Sequence, residues 1–379
     1  MVVIFYGTSA ELIKLLGIVK RIPRSQMLLI CTAQHREGLK RLHPQLGVEP
    51  DIYLSYGWKD KDVANIKQML GMMLKAHGRF FAQYRAIKKR IKESDKKHNT
   101  KSIAMVHGDT LTTVVGAYMG RLLGLPVCHV EAGLRTWNWR SPFPEELDRR
   151  IVARIARIHF APNETAIANL KREKIKGEII DTKFNTAKDA IEMSDQFVSE
   201  EFKRLKLPMK YCLVLLHRTE LLENRHDFEA ILKTLNEYAS KERPIVFTMH
   251  TTTNEKLRAY GFEHYLKKPG IQIIPKQPYF DYMAIVRGAD CIVADGGGIQ
   301  EDAFFFGIPT MIHRYHTERE EGLGFNADIS RMDVNKVRDF LYYHKDKKEF
   351  SRLRHDVSPS QIVVDYLLKR KFISSQLIV

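Results

Sequence analysis

The chain has 379 residues, 44% of them hydrophobic and 28% charged, and a formal net charge of +16. That length admits two domains, each with its own core. The composition is that of a soluble globular protein, and no run of 18 apolar residues marks a membrane span. The N-terminus, Met1-Val-Val-Ile-Phe-Tyr6, lacks a basic leader and a small-residue cleavage site, so it reads as a first strand rather than a signal peptide. Cys31, Cys128, Cys212 and Cys291 lie far apart in or beside apolar runs without metal-ligand spacing; they read as reduced core residues of a cytoplasmic protein. The positive charge fits nucleic acid, an anionic membrane surface or a phosphate-bearing ligand. Much of it sits in stretches such as Lys88–Lys92 and Lys345–Lys348, which read as solvated faces. With no nucleic-acid fold signature beside them, neither nucleic acid nor a membrane is the expected partner.

In chain order, Val2–Tyr6 is a β-branched and aromatic run, followed by Gly7-Thr8-Ser9 and a helical pattern carrying Glu11 and Lys14. Strand, small-residue turn and helix is the arrangement that aims backbone N–H groups and a helix dipole at an anion. Leu28–Thr32 is a second strand, closed by Ala33-Gln34-His35-Arg36-Glu37. Residues 61–95 read as one long amphipathic helix or a pair, with a basic outer face. Ile103–His107 is a strand with Gly108-Asp109-Thr110 at its end. Leu125–Val130 is a strand ending on Glu131, and Glu145-Glu146 stand where the next helix begins. Ile158–Ala161 is a strand, and Asn163 caps the helix after it. Residues 174–200 are charged and weakly patterned, as a domain junction would be.

The alternation restarts at Tyr211–Leu216, which ends in His217-Arg218-Thr219-Glu220. Ile245–Met249, Ile271–Ile274 and Cys291–Ala294 follow, the last ending in Asp295-Gly296-Gly297-Gly298 before a helix. Thr310–His313 is read as the last strand. Strands alternating with helices give a mostly parallel sheet, so the fold class is α/β: two Rossmann-like domains with a central cleft. The expected boundaries are 1–170 for the N-terminal domain, with a C-terminal helix at about 358–379 packing back on it, and 171–357 for a nucleotide-binding domain.

Residues 129–149 carry the densest chemistry, with Glu131, Arg135, Glu145 and Arg149 around a strand end. In open α/β sheets ligands bind beyond the carboxyl ends of the strands. This segment reads either as a site for an anionic, polar ligand or as a surface loop with ordinary ion pairs. Asp109, His217 and Arg218 stand at other strand ends. Gly296-Gly297-Gly298 before a helix is either a phosphate cradle or tight-turn chemistry. Asp302, one turn further, either accepts from two vicinal hydroxyls, as on a ribose, or faces the helix dipole.

The order of Gly108-Asp-Thr110, His129-Val-Glu-Ala-Gly-Leu-Arg135, Pro142-Phe-Pro-Glu-Glu146 with Arg149, His217-Arg-x-Glu220, Gly297-Gly-Ile-Gln-Glu301 and Thr317-Glu-Arg319 resembles the non-hydrolysing UDP-N-acetylglucosamine 2-epimerase family. The resemblance runs from Gly7-Thr8 to the Arg319 loop. It implies the two-domain glycosyltransferase-B-like fold, with a UDP-sugar substrate bound mainly by the second domain. It also implies a reaction that eliminates UDP across C1–C2 and adds it back with C2 inverted, interconverting UDP-N-acetylglucosamine and UDP-N-acetylmannosamine.

By that resemblance Asp109, Glu131 and Glu145 are the acid/base carboxylates and His217 stands near the leaving diphosphate. Lys14, Arg135, Arg149, Arg218, Gly296, Gly297, Gly298, Asp302 and Arg319 are substrate-binding positions. Gln34 and His35 match an allosteric pair found in some members. No cofactor and no metal are implied, and the family is usually a homodimer. The departures fall on the nucleotide side: Ser9-Ala10 replace Arg-Pro in the first turn, Gly296 replaces a serine, Asp302 replaces a glutamate and Phe184 replaces a glycine before Asn185-Thr186. A glycosyltransferase of the same fold and a non-catalytic nucleotide-sugar-binding protein are the alternatives.

Overall fold

The apolar runs become parallel strands whose carboxyl ends share one edge of each sheet. A computed structural model describes residues 1–55, 66–138, 144–317, 321–344, 346, 350 and 356–375. The chain divides into two compact units, Met1–Ala190 with Val357–Val379, and Ile191–Asp356.

In the first unit the strands are β1 Val2–Tyr6, β2 Met27–Cys31, β3 Ile52–Tyr53, β4 Ile103–His107, β5 Val127–Val130, β6 Ile158–Ala161 and β7 Glu178–Asp181. They lie in the order β3-β2-β1-β4-β5-β6-β7, and every neighbouring pair is parallel. The helices between them are α1 Ser9–Arg21, α2 Arg36–Leu46, α3 Ile66–His98, α4 Leu111–Leu122, α5 Glu145–Ile155 and α6 Glu164–Arg172. Successive strand side chains face opposite sides. Val3, Phe5, Ala104 and Val106 therefore join one core with Phe80, Ile87 and Ile91 of α3, Val115 and Met119 of α4, and Val152 of α5. Asn163 caps α6 by accepting from the Ala166 N–H at 2.8 Å. Helix Pro359–Lys369 packs on α1, with the Ser360 N–H donating to Asp189 Oδ2 at 2.7 Å.

In the second unit the strands are β8 Cys212–Leu215, β9 Ile245–Met249, β10 Ile271–Pro275, β11 Cys291–Ala294, β12 Thr310–Ile312 and β13 Ala327–Ile329, in the order β10-β9-β8-β11-β12-β13. Val214, Phe247 and Val293 pack on one face with helices Arg225–Tyr238 and Val334–Tyr343. Leu213, Val246 and Ile292 pack on the other with helices Tyr279–Gly288 and Gly297–Phe306.

Sequence and structure part at the short edge strands. The run Thr310–His313 is not the last strand: β13 pairs in parallel with β12. Its three residues, Ala-Asp-Ile, carry an exposed Asp328 and are too short to show a period. β7, Glu178-Ile-Ile-Asp181, lies within the weakly patterned stretch and has a carboxylate at each end, as suits an edge strand.

Candidate active site

Three loops after β1, β4 and β5 reach the carboxyl edge of the first sheet. After β1 the chain must pass Gly7, where a Cβ would lie 2.0 Å from Thr32 Oγ1 and 2.2 Å from Thr112 Oγ1. Thr8 caps α1, and Glu11 closes a capping box, accepting the Gly7 and Thr8 N–H groups at 2.8 Å each. Glu11 Oε1 also accepts from Thr110 Oγ1 at 2.6 Å, which ties this turn to the loop after β4. The expectation that this turn offers its N–H groups to an anion is corrected here, because at Gly7 and Thr8 the chain's own carboxylate takes them.

Glu131 follows β5 directly, and its backbone is left-handed at φ +66°. Such a conformation in a non-glycine residue costs energy and clusters at functional sites. The turn aims the carboxylate, 8% exposed, at Lys14, whose Nζ donates to Oε2 at 2.6 Å. Asn185 Nδ2 donates to the same oxygen. His107 Nε2 lies 3.6 Å away, and burial pushes this imidazole down to about 4, so it is neutral and the ion pair belongs to Lys14. Burial works against the charged form of Glu131, but Lys14 and the other donors outweigh it and hold the carboxyl well below the usual range.

Asp109 follows β4. Its Oδ2 accepts from Arg149 Nε at 2.9 Å and Nη2 at 2.5 Å. Burial nevertheless raises its carboxyl above the ordinary value, Arg149 opposing and the Glu131 charge adding to the rise. Glu145 opens α5, and its buried Oε2 has no hydrogen-bond partner among the described residues. Its neighbour Glu146 is fully buried and structural: it accepts from the Thr136 N–H, Arg150 Nε and Arg149 Nη1 at 3.0, 3.1 and 3.4 Å.

Among the sequence-predicted residues, the structure gathers Lys14 with Glu131 and Arg149 with Asp109. Arg135 is committed elsewhere: its side chain is wholly buried and its Nη2 donates to Glu173 at 2.8 Å, not to any of the three carboxylates. Gln34 Oε1 accepts from Thr112 Oγ1 at 3.0 Å, while His35 is exposed and its N–H donates to the Gly7 carbonyl at 2.8 Å. Pro142 and Phe143 of the motif, and Arg319, lie outside the described residues. Sequence reasoning gave no role to His107 or Asp148, and met Asn185 only as part of the Phe184-Asn185-Thr186 match. Asn185 is distant in sequence from Glu131, and His107 is masked by its place in an apolar strand. Asp148 has one signal, its spacing three residues after Glu145 on a helix.

In the second unit Asp295, fully buried after β11, organises the turn after β8. Its Oδ2 accepts the N–H groups of His217 and Arg218 at 2.8 Å each, and its Oδ1 lies 3.1 Å from His217 Nδ1. Neither this Oδ1 nor this Nδ1 has a hydrogen-bond partner among the described residues, so the Asp295 carboxylate stands beside the imidazole as a nearby charge and holds the turn through the two backbone N–H groups. His217 packs against His250 with centroids 5.4 Å apart. Gly296 caps helix Gly297–Phe306, and a Cβ on it would stand 3.0 Å from His217 Cε1, so the absent side chain is what lets the imidazole lie over the turn. Gly297 and Gly298 open that helix, whose N-terminus favours an anion. Asp302, half-buried, lies near the Tyr279 and Tyr282 phenols, which burial first and the Asp302 charge second push well above their ordinary range. Among the described residues no cluster of three or more His, Cys, Asp or Glu side chains could hold a metal, and no helix is long and apolar enough to cross a membrane.

Two parallel sheets with interleaved helices, a charged strand edge in one and a glycine turn in the other, define a glycosyltransferase-B-like α/β protein. The sequence profile of the UDP-N-acetylglucosamine 2-epimerase family matches residues 18–341, and the chain belongs to that family. It is 31% identical over 327 residues to the UDP-N-acetylglucosamine 2-epimerase of Bacillus subtilis, covering 84% of this chain and 80% of that protein. It is 29% identical over 340 residues to the Methanococcus maripaludis enzyme of the same name, covering 86% of each. The structure of the Methanocaldococcus jannaschii UDP-GlcNAc 2-epimerase superposes with a TM-score of 0.74 at 24% identity, covering 97% of this chain and 99% of that one. The same enzyme in complex with UDP-GlcNAc and UDP gives 0.68 at 25% identity over the same shares.

Proposed function

We propose that this protein is a UDP-N-acetylglucosamine 2-epimerase that interconverts UDP-N-acetylglucosamine and UDP-N-acetylmannosamine. A base removes the C2 proton while the C1–O bond to UDP breaks, leaving a C1=C2 double bond. UDP then returns to C1 and a proton is delivered to the other face of C2. What supports this reading is that Asp109 feels the charge of Glu131 and that Asp148 feels those of Asp109 and Glu145, so carboxylates able to act as base and acid lie within electrostatic reach along one strand edge. Glu131 is the anion fixed by Lys14, Asp109 is held by Arg149, and Glu145 has a buried oxygen without a donor among the described residues. By the family resemblance His217 serves the leaving diphosphate, with Arg218 and the Gly296–Gly298 turn binding its oxygens and Asp302 the ribose. By the same resemblance Arg319 belongs to the substrate-binding set, while Arg135, buried against Glu173, holds the segment after β5. Gln34 and His35 form a regulatory pair.

A homodimer is part of the same proposal: Leu74 and Phe81, two turns apart on α3, and Tyr118 on α4 are 75%, 57% and 49% exposed, an apolar face suited to a second copy. The four free, buried cysteines favour a cytoplasmic location.

The test is product analysis by proton NMR with UDP-N-acetylglucosamine in deuterium oxide. The expected result is a mixture of gluco and manno forms with deuterium at C2. Product that keeps its C2 proton and forms only with an added acceptor would identify a transferase instead.

A further inference from the structure

The carboxylates at the first sheet's edge are unequal in their partners. Asp109 has Arg149, Glu131 has Lys14 and Asn185, and Glu146 has Arg149, Arg150 and a backbone N–H. Among the described residues Glu145 and Asp148 have none: Glu145 Oε2 and Asp148 Oδ2 are buried atoms without a hydrogen-bond partner there, and Asp148 as a residue is only 5% exposed. The two stand three residues apart on α5, so they share a face. A carboxylate that is desolvated beside other carboxylates is costly as an anion, and the usual solution is that it keeps its proton.

We propose that Asp148 is the proton-holding partner of Glu145, a positioning residue that keeps one member of the pair in its acid form at neutral pH. This rests on the epimerase reading above and deepens it. The exchange is balanced: the O–H bond on Asp148 breaks as one forms on Glu145, and the proton that Glu145 delivers to C2 is replaced from Asp148, which recovers one from solvent. The cluster's charge never changes by more than the one proton in transit. Burial, then the negative charges of Asp109 and Glu145, push the Asp148 carboxyl up to about 7, which supports the assignment.

Among the described residues the other charged or titratable groups on the elements packed against it are few. On α5 they are Glu146, Arg149 and Arg150, all committed to the bonds already given. After β5 stands Glu131, compensated by Lys14, and on β5 His129, neutral because burial holds it down at about 3. α4, which packs on α5, contributes Tyr118 and, near its C-terminal end, an exposed Arg121. Among these no cation is left over to hold Asp148 ionised.

The experiment compares the wild type with Asp148→Asn and Asp148→Glu in the full-length protein, by thermal unfolding at pH 5 and pH 8 and by the pH profile of C2 hydrogen exchange. A carboxyl raised in the folded state costs stability progressively as pH rises from its unfolded value, about 3.9, through about 7. Asp148→Asn should therefore gain a few degrees of Tm over the wild type at pH 8 and less at pH 5. It should also lower kcat roughly tenfold or more with KM nearly unchanged and flatten the limb of the profile near neutrality, and Asp148→Glu should restore much of both. A Tm difference that is the same at both pH values, in an enzyme whose pH profile is also unmoved, would overturn the proposal. Absence of C2 exchange in the wild type would instead remove the reaction reading, and with it the catalytic part of this one.

Discussion

The two units present opposite kinds of chemistry at their strand ends. In the first, the edge after β4 and β5 is made of charged side chains that neutralise one another inside the protein: Lys14 with Glu131, Arg149 with Asp109 and Glu146. In the second, the turn before helix Gly297–Phe306 is made of glycines and backbone N–H groups, and its one buried carboxylate, Asp295, is spent on holding His217 and Arg218. Fixed ion pairs with a partnerless carboxyl among them suit proton transfer, which needs defined protonation states more than net charge. A helix N-terminus without side chains suits an incoming phosphate, which supplies its own charge. In the function proposed above, the first unit moves the proton and the second holds the anion.

Mutations should separate these two kinds of chemistry. Glu145→Gln keeps the shape but removes a proton carrier from the first unit, and steady-state assays should show turnover down by at least about 10²-fold. Asp295→Asn removes the charge beside His217, and kcat/KM should fall by about 10–100-fold with the folded protein intact by circular dichroism. Asp302→Ala should cost roughly 1–3 kcal/mol of UDP affinity in a calorimetric titration while leaving the pH profile of turnover in place. Gly296→Ala should be the mildest: its Cβ would press on His217 at 3.0 Å, and a loss of less than about tenfold in kcat/KM is expected.

The Lys14–Glu131 pair supplies a pH test of the first unit's wiring. Because the folded Glu131 carboxyl lies below its unfolded value, the pair's stabilisation is fully present above that unfolded value, about 4.3, and is lost as pH falls further toward the folded one. Lys14→Met should therefore destabilise the protein at pH 7 in urea unfolding, and the difference from the wild type should shrink below about pH 4.

Long apolar strands and amphipathic helices were legible in the sequence because burial on both faces of a parallel sheet leaves continuous Val, Ile and Leu runs, as in Val2–Tyr6 and Ile103–His107. β13 and β7 were not, since three or four residues at an edge carry no period and tolerate charge. In the site, Asp109, Glu131 and Glu145 stood out as carboxylates at strand and helix ends. What charge type alone could not tell was their pairing. Arg135 and Arg149 look alike in the sequence, yet one is buried against Glu173 and the other grips Asp109. Asn185 reaches Glu131 from 54 positions away, a contact that no local pattern encodes. The turn after β1 misled for a local reason: Gly7-Thr8-Ser9 before a helix looks like an anion cradle, but Glu11 folds back and fills it.

The most direct test of this division of labour is Glu131→Gln, measured for C2 deuterium incorporation from solvent and, in the same preparation, for UDP affinity. If the first unit moves the proton and the second holds the nucleotide, exchange falls by at least about 10²-fold while the UDP Kd stays within about threefold. Undiminished exchange, or UDP binding lost in step with it, would contradict that division.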